Sequence, residues 1–292
     1  MLKERVEVVF RKHYKWIMFI PVIFLILSLG IIINHTVKTG DLFEKDVSLK
    51  GGVSATVYTQ KAIPEEQIKN AIKVDATVQK LEDFTTGKQI GFLVAVSEIN
   101  ADQLQQILEQ QLGEKLTDKN YSVEETGPKL GQSFYKQLLQ AVFLAFVLMS
   151  ITVAITFRTF IPSIAVIEAA FTDIVIPLAI LILFNIKVSS AGIVAFLLVI
   201  GYSVDTDILL TTWAIRKREH PLFDRMWHSM KTGLTMTLCA MVVMMIGLVF
   251  STSGVIKEMF FIIFLALITD IFSTYLTNAG ILMWYCEKKG IK

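Results

Sequence analysis

The sequence predicts an α-helical polytopic membrane protein with six transmembrane helices and one small α+β extracytoplasmic domain between the first and second of them. Three observations carry this expectation. The chain is 53% hydrophobic with mean hydropathy +0.58, more apolar than a soluble domain with a polar surface sustains. Six apolar runs have the roughly 20-residue length that a helix needs to cross a hydrocarbon core, and the polar stretch 35–129 separates the first run from the rest. Lysine and arginine gather on alternate connections between the runs.

The runs are 16–33, 134–157, 160–184, 189–215, 232–250 and 259–285. A basic segment precedes the first, as in a secretory signal, but no small-residue cleavage pattern follows Ile33-Asn34-His35-Thr36. An uncleaved anchor is therefore expected. The units that follow are a cytoplasmic N-terminus with the first transmembrane helix (1–34), an extracytoplasmic domain (35–130), a five-helix transmembrane bundle (131–286) and a cytoplasmic tail (287–292).

The polar domain reads as strand, helix, strand, strand, helix, strand. Residues 54–60 are rich in Val, Thr and Tyr, and Pro64-Glu65-Glu66 then opens a helix with acids in its first turn, where the helix dipole favours them. Residues 77–84 alternate, Thr86-Gly87-Lys88 makes a turn, and 89–97 form the next strand, with Phe92, Val94 and Val96 on one side. Asn100 caps a helix carrying Leu104, Ile107 and Leu108, and 121–124 make the last strand. This order suits a ferredoxin-like fold, which hosts many functions and identifies none.

Fourteen basic residues share one side: Lys3, Arg5, Arg11, Lys12 and Lys15 at the N-terminus, Arg158, then Arg216, Lys217, Arg218, Arg225 and Lys231, then Lys288, Lys289 and Lys292. Only Lys187 and Lys257 occupy the short connections of the other side. The positive-inside rule puts both termini in the cytoplasm, so the span count must be even, and six is. A net charge of +2 argues against a nucleic-acid partner. Cys239 and Cys286 lie in or beside apolar runs and read as core thiols; nothing suggests a metal site, a cofactor or an enzyme.

The chemistry sits in Gly201-Tyr202-Ser203-Val204-Asp205-Thr206-Asp207. A charged Asp at mid-membrane costs at least about 2.5 kcal/mol, so such residues face a bundle interior, a partner or an ion path. At 100° per residue Asp205 and Asp207 stand about 200° apart on their helix and need different partners. Asp207 continues a polar stripe with Ser203 and Thr211, whereas Asp205 lies one turn from Gly201, which lets a helix approach. Asp173 and Asp270 add two deep carboxylates on other spans, with no Lys or Arg deep in any span to neutralise them. Proton relay or ion coupling through Asp205, Asp207, Asp173 and Asp270, with Ser203, Thr206 and Thr211 as a polar seam, is one reading. Plain helix packing, with hydroxyls satisfying the acids, and a cation supplied by a partner subunit are the others.

These residues carry a family resemblance. Gly201-Tyr202-Ser203 with its acidic continuation, Thr126-Gly127-Pro128-Lys129-Leu130-Gly131 before the second span and Lys231-Thr232-Gly233-Leu234-Thr235 opening the fifth resemble the SecF family of protein-export membrane subunits. The order and spacing of these motifs extend over essentially the whole chain. The bacterial fourth-span motif reads Gly-Tyr-Ser-x-Asn-Asp-Thr, so Asp205 falls at its Asn and Thr206 at its Asp; the Asp-x-Asp form is similar to the archaeal branch.

The resemblance implies a multi-pass cytoplasmic-membrane subunit of the Sec pathway. It would pair with SecD in an assembly related to resistance-nodulation-division transporters, work beside a SecY-type channel on unfolded secreted polypeptide, contact membrane lipid and draw on the proton-motive force. Gly201, Tyr202, Gly127, Pro128 and Gly131 are the motif or hinge positions it carries, with Gly51-Gly52 a second hinge candidate. Two other expectations stand beside it: a half-transporter exporting small hydrophobic molecules or lipids, and a passive scaffold that moves no proton.

Overall fold

The computed structural model describes residues 2–59, 61, 63–72, 74, 76–82, 88–216, 220–251 and 253–291. Gln60, Ala62, Phe84, Thr86 and Gly87, at the expected element ends and turn, fall outside the described residues, as do Lys217, Arg218 and Lys292 of the basic clusters.

Helix α1 (Leu2–Ile17) is followed by α2 (Phe19–Thr39), and the apolar sequence shared between them makes the first long membrane-length segment, Phe10–Thr39. It stops where Gly40 turns left-handed (φ 79°) and its N–H donates to Thr36 O at 2.8 Å. A one-turn helix α3 (Val47–Lys50), which sequence reasoning did not anticipate, leads into the α+β unit.

That unit runs β1 (Gly52–Tyr58), α4 (Glu65–Ile72), β2 (Ala76–Glu82), β3 (Gln89–Val96), α5 (Ala101–Leu112) and β4 (Tyr121–Thr126), in the predicted order. The strands form one antiparallel sheet in the order β2-β3-β1-β4. Period-2 alternation turns Val53, Ala55 and Val57 of β1 to one face, where with Phe92 and Val94 they pack under Ile68, Leu104 and Leu108 of the two helices. Asn100 caps α5 as expected: its side chain accepts from Gln103 N at 2.9 Å, and its own N–H donates back to the Gln103 side chain.

The bundle comprises α6 (Pro128–Phe157), α7 (Phe160–Leu183), α8 (Ser190–Ile215), α9 (Leu222–Phe250), and α10 (Gly254–Phe272), which continues through a π turn (Ser273–Asn278) into α11 (Ala279–Lys289). Among the described residues, five helices are long and apolar enough to cross a membrane: Phe10–Thr39, α6, α7, α8 and α9. The sixth expected run differs from the others because no single regular helix carries it. Helix α10 holds Lys257, Glu258 and Asp270 within its 19 residues, and the π turn interrupts its regular hydrogen bonding after Phe272. Helix α9 starts at Leu222, well before the expected 232, because Leu222, Phe223 and Met226 give its first turns an apolar face that packs against Leu282, Met283 and Cys286.

Helix α8 is central, with α6, α7, α9 and α10 packed around it. Small residues on α7, Ala165, Ala169 and Ala170, are fully buried and let neighbouring helices come close. Helix α2 lies along α7, setting Leu25 and Ile32 against Val175 and Ala179.

The two links between the α+β unit and the bundle meet in a single joint. Gly51 has φ +89°, and a Cβ there would lie 2.5 Å from Pro128 Cα. Gly131, one turn into α6, sits so close that its Cβ would be 2.8 Å from Gly51 N and 3.0 Å from Leu49 O. Beside the joint, Asp46 N donates to Val188 O (2.9 Å) and Val188 N to Glu44 O (2.7 Å), tying the entry segment to the α7–α8 connection. Lys187 Nζ reaches Thr77 Oγ1 on the sheet at 3.2 Å.

Candidate functional site

Three helices bring one carboxylate each to the middle of the bundle: Asp173 from α7, Asp207 from α8 and Asp270 from α10, all fully buried. Buried acids need hydrogen-bond donors, and hydroxyls supply them here. Ser203 Oγ donates to Asp173 Oδ2, and Ser273 Oγ to Asp173 Oδ1 at 2.7 Å. Thr206 Oγ1 lies 3.1 Å from Asp270 Oδ1. Thr274 Oγ1 stands between two acids, 2.9 Å from Asp207 Oδ1 and 3.0 Å from Asp270 Oδ1. Asn278 Nδ2 donates to Asp207 Oδ1 at 2.7 Å. No ion pair to any of the three acids occurs among the described residues.

Ser203, Thr206, Asp207 and Thr211 are buried. The polar residues expected on α8 thus face the interior, but Ser203, Asp207 and Thr211 do not hydrogen-bond to one another through their side chains; Thr206 Oγ1 reaches the Ser203 carbonyl oxygen at 2.8 Å. Ser203 turns to Asp173, and Thr211 Oγ1 has no hydrogen-bond partner among the described residues. Asp205 does not join the other acids; it is exposed on the outside of α8, beside Tyr202, which is 48% exposed. Among the described residues nothing lies within 4 Å of where a Cβ at Gly201 would sit, so no described helix approaches there. The expectation that Asp205 and Asp207 face different surroundings matches the geometry, and the structure adds which of them faces inward.

Ser273, Thr274 and Asn278 escaped sequence reasoning. A signal for them existed: counted from Asp270 they fall at i+3, i+4 and i+8, one helical face within an apolar run. Arg225, read from sequence as a loop cation, is instead fully buried in the first turn of α9. Gly127, Pro128 and Gly131 lie at the joint, away from the acids, with Gly127 as N-cap of α6. Among the described residues no group of three or more His, Cys, Asp or Glu side chains is arranged to hold a metal ion. Cys239 is exposed and Cys286 is buried, and no disulfide joins them among the described residues.

Long apolar helices enclosing three hydroxyl-bonded carboxylates, with an α+β unit hung between the first two, define a polytopic membrane protein that holds ionisable groups inside its bundle. The family described as protein export membrane protein SecD/SecF, C-terminal, matches residues 107–288. The SecF protein-export membrane protein of Pyrococcus furiosus is 30% identical over 99% of this chain and 97% of its own length. That of Methanocaldococcus jannaschii is 34% identical, covering 94% and 96%. The crystal structure of SecDF, a translocon-associated membrane protein from Thermus thermophilus, shares the fold with a TM-score of 0.72 at 19% identity; the match takes in 94% of this chain and 38% of that one. The chain belongs to the SecD/SecF protein-export family.

Proposed function

We propose that this chain is an auxiliary subunit of Sec-pathway protein export that works with a SecD-type partner to move polypeptides across the cytoplasmic membrane, coupled to proton movement through Asp173, Asp207 and Asp270. The export reading rests on one observation: relatives described as SecF protein-export membrane proteins align from end to end, over 97% and 96% of their lengths. The buried three-acid cluster supports the coupling, because a carboxyl with no fixed counter-charge can take up and release a proton.

In this reading the π turn lies inside a sixth span made of α10 and α11, which keeps the span count even and both termini cytoplasmic. The domain limits are those expected from sequence, with residues 35–130 extracytoplasmic. The β2-β3-β1-β4 order with both helices on one face supports a ferredoxin-like domain. That domain meets secreted polypeptide leaving a SecY-type channel, and the glycine joint lets it swing. Asp205, Tyr202 and Gly201 face the SecD-type partner, since an exposed carboxylate on a membrane helix is costly against lipid. No bond-making chemistry is assigned to the chain.

The test is Asp207→Asn, expressed to wild-type abundance with its SecD-type partner. Proton-driven export of a secreted reporter should fall while the two subunits still co-purify; wild-type export kinetics would remove the relay role.

A further inference from the structure

The number of hydrogens around Asp270 is smaller than the number of short contacts. Thr274 has one hydroxyl hydrogen but stands 2.9 Å from Asp207 Oδ1 and 3.0 Å from Asp270 Oδ1. A hydroxyl donates one hydrogen bond and accepts others, so the two contacts cannot both be donations from Thr274. Thr206 is in the same position: it is 2.8 Å from the Ser203 carbonyl oxygen, its nearest acceptor, and 3.1 Å from Asp270 Oδ1. Asp207 Oδ1 also accepts from Asn278 Nδ2, at 2.7 Å. One arrangement consistent with these distances has Thr274 donating to an ionised Asp207 and Thr206 donating to Ser203 O, which leaves the Thr206–Asp270 approach without a hydrogen of its own. Asp270 is then a carboxylic acid whose hydrogen points at Thr274.

We propose that the Thr274 hydroxyl is the bridge through which a proton passes between Asp270 and Asp207, an inference that rests on the proton-coupling reading above. The step balances. The O–H bond of Asp270 breaks as one forms on Thr274, and the original O–H bond of Thr274 breaks as one forms on Asp207 Oδ1. Threonine is neutral before and after, the net change is one proton moved from Asp270 to Asp207, and rotation of the hydroxyl resets the bridge. Two further features favour this position. Thr274 lies in a π turn, a distortion that recurs at functional sites. On the receiving side, Asp207 Oδ2 is a buried acceptor with no hydrogen-bond partner among the described residues, so this carboxyl is not fully satisfied by its neighbours.

The experiment compares Thr274→Val, Thr274→Ser and Asp207→Asn in membrane vesicles containing the whole chain with its SecD-type partner, reading proton-driven export of a reporter against subunit abundance. Valine keeps the branched shape and removes the hydroxyl, whereas serine keeps the hydroxyl. Thr274→Val should lower export at least about tenfold, a floor set below the roughly 10²–10⁴-fold that a positioned proton-transfer group contributes, and Thr274→Ser should stay within about twofold of wild type. A Val variant with wild-type export beside an impaired Asp207→Asn overturns the bridge and leaves the relay standing. Wild-type export in both overturns the relay as well. A Ser variant as impaired as the Val variant also overturns the bridge, since the hydroxyl would then not be what matters. Should the Val variant fail to accumulate, Thr274→Cys replaces it, because the thiol fits the site but is a weak hydrogen-bond donor and acceptor; normal export there overturns the proposal, and impaired export supports it.

Discussion

Asp205 and Asp207 are two residues apart and lie on opposite sides of α8: Asp207 is fully buried against Thr274 and Asn278, while Asp205 is exposed beside Tyr202. The two acids therefore have separable consequences. Asp207→Asn should leave co-purification with the SecD-type partner intact and lower proton-driven export at least about tenfold. Asp205→Asn should do the reverse in order of severity, weakening recovery of the partner in mild detergent first. Equal partner recovery from both variants would remove the docking role of Asp205.

Gly233 on α9 makes room for Tyr275, since a Cβ there would lie 2.3 Å from the Tyr275 hydroxyl. Gly233→Ala should push Tyr275 and its neighbour Thr274 aside, costing about 1–3 kcal/mol, the usual range for overpacking. Removing the clashing oxygen should restore much of the loss, because the next ring atom, Cζ, stands 3.6 Å from that Cβ. Thermal unfolding in detergent should rank wild type above Gly233→Ala/Tyr275→Phe, and that pair above Gly233→Ala alone. A single alanine variant that melts with wild type would contradict this packing.

At the joint, Gly51 combines φ +89° and ψ 154°, a region open almost only to glycine, with contact against Pro128. Gly51→Ala should cost of order 1–3 kcal/mol in backbone strain, with steric overlap in addition. Limited proteolysis should show faster cutting of the connections near the joint. Gly201→Ala, which meets nothing within 4 Å among the described residues, should leave that cutting unchanged.

Asn100→Ala removes the capping box of α5 and should cost about 1 kcal/mol. The loss is confined to the α+β unit, so local hydrogen exchange along α5 should speed up while export and partner recovery stay at wild type. Faster exchange in the bundle would mean that the two units are more tightly coupled than the glycine joint suggests.

Much of this architecture could be read residue by residue. Apolar runs of membrane length, the strand alternation in β3 and the Asn100 cap depend on neighbours a few residues away. The α9 start, the short α3 helix and the π turn were not readable in that way, because each answers to packing partners distant in the chain: Leu222 and Phe223 against α11, and Val47 and Leu49 at the joint.

The acids divide along the same line. Hydropathy and helical periodicity were enough to place Asp173, Asp207 and Asp270 inside apolar spans and to separate Asp205 from Asp207 by about 200°, because both depend only on local covalent geometry. Which of the pair points inward, and that Asp207 meets Asp173 and Asp270 from helices far away in sequence, depends on how each helix is rotated about its axis. That rotation is set by long-range contacts, the buried alanines of α7 and the turn that aims Ser273, Thr274 and Asn278 at the acids, and no local pattern encodes it.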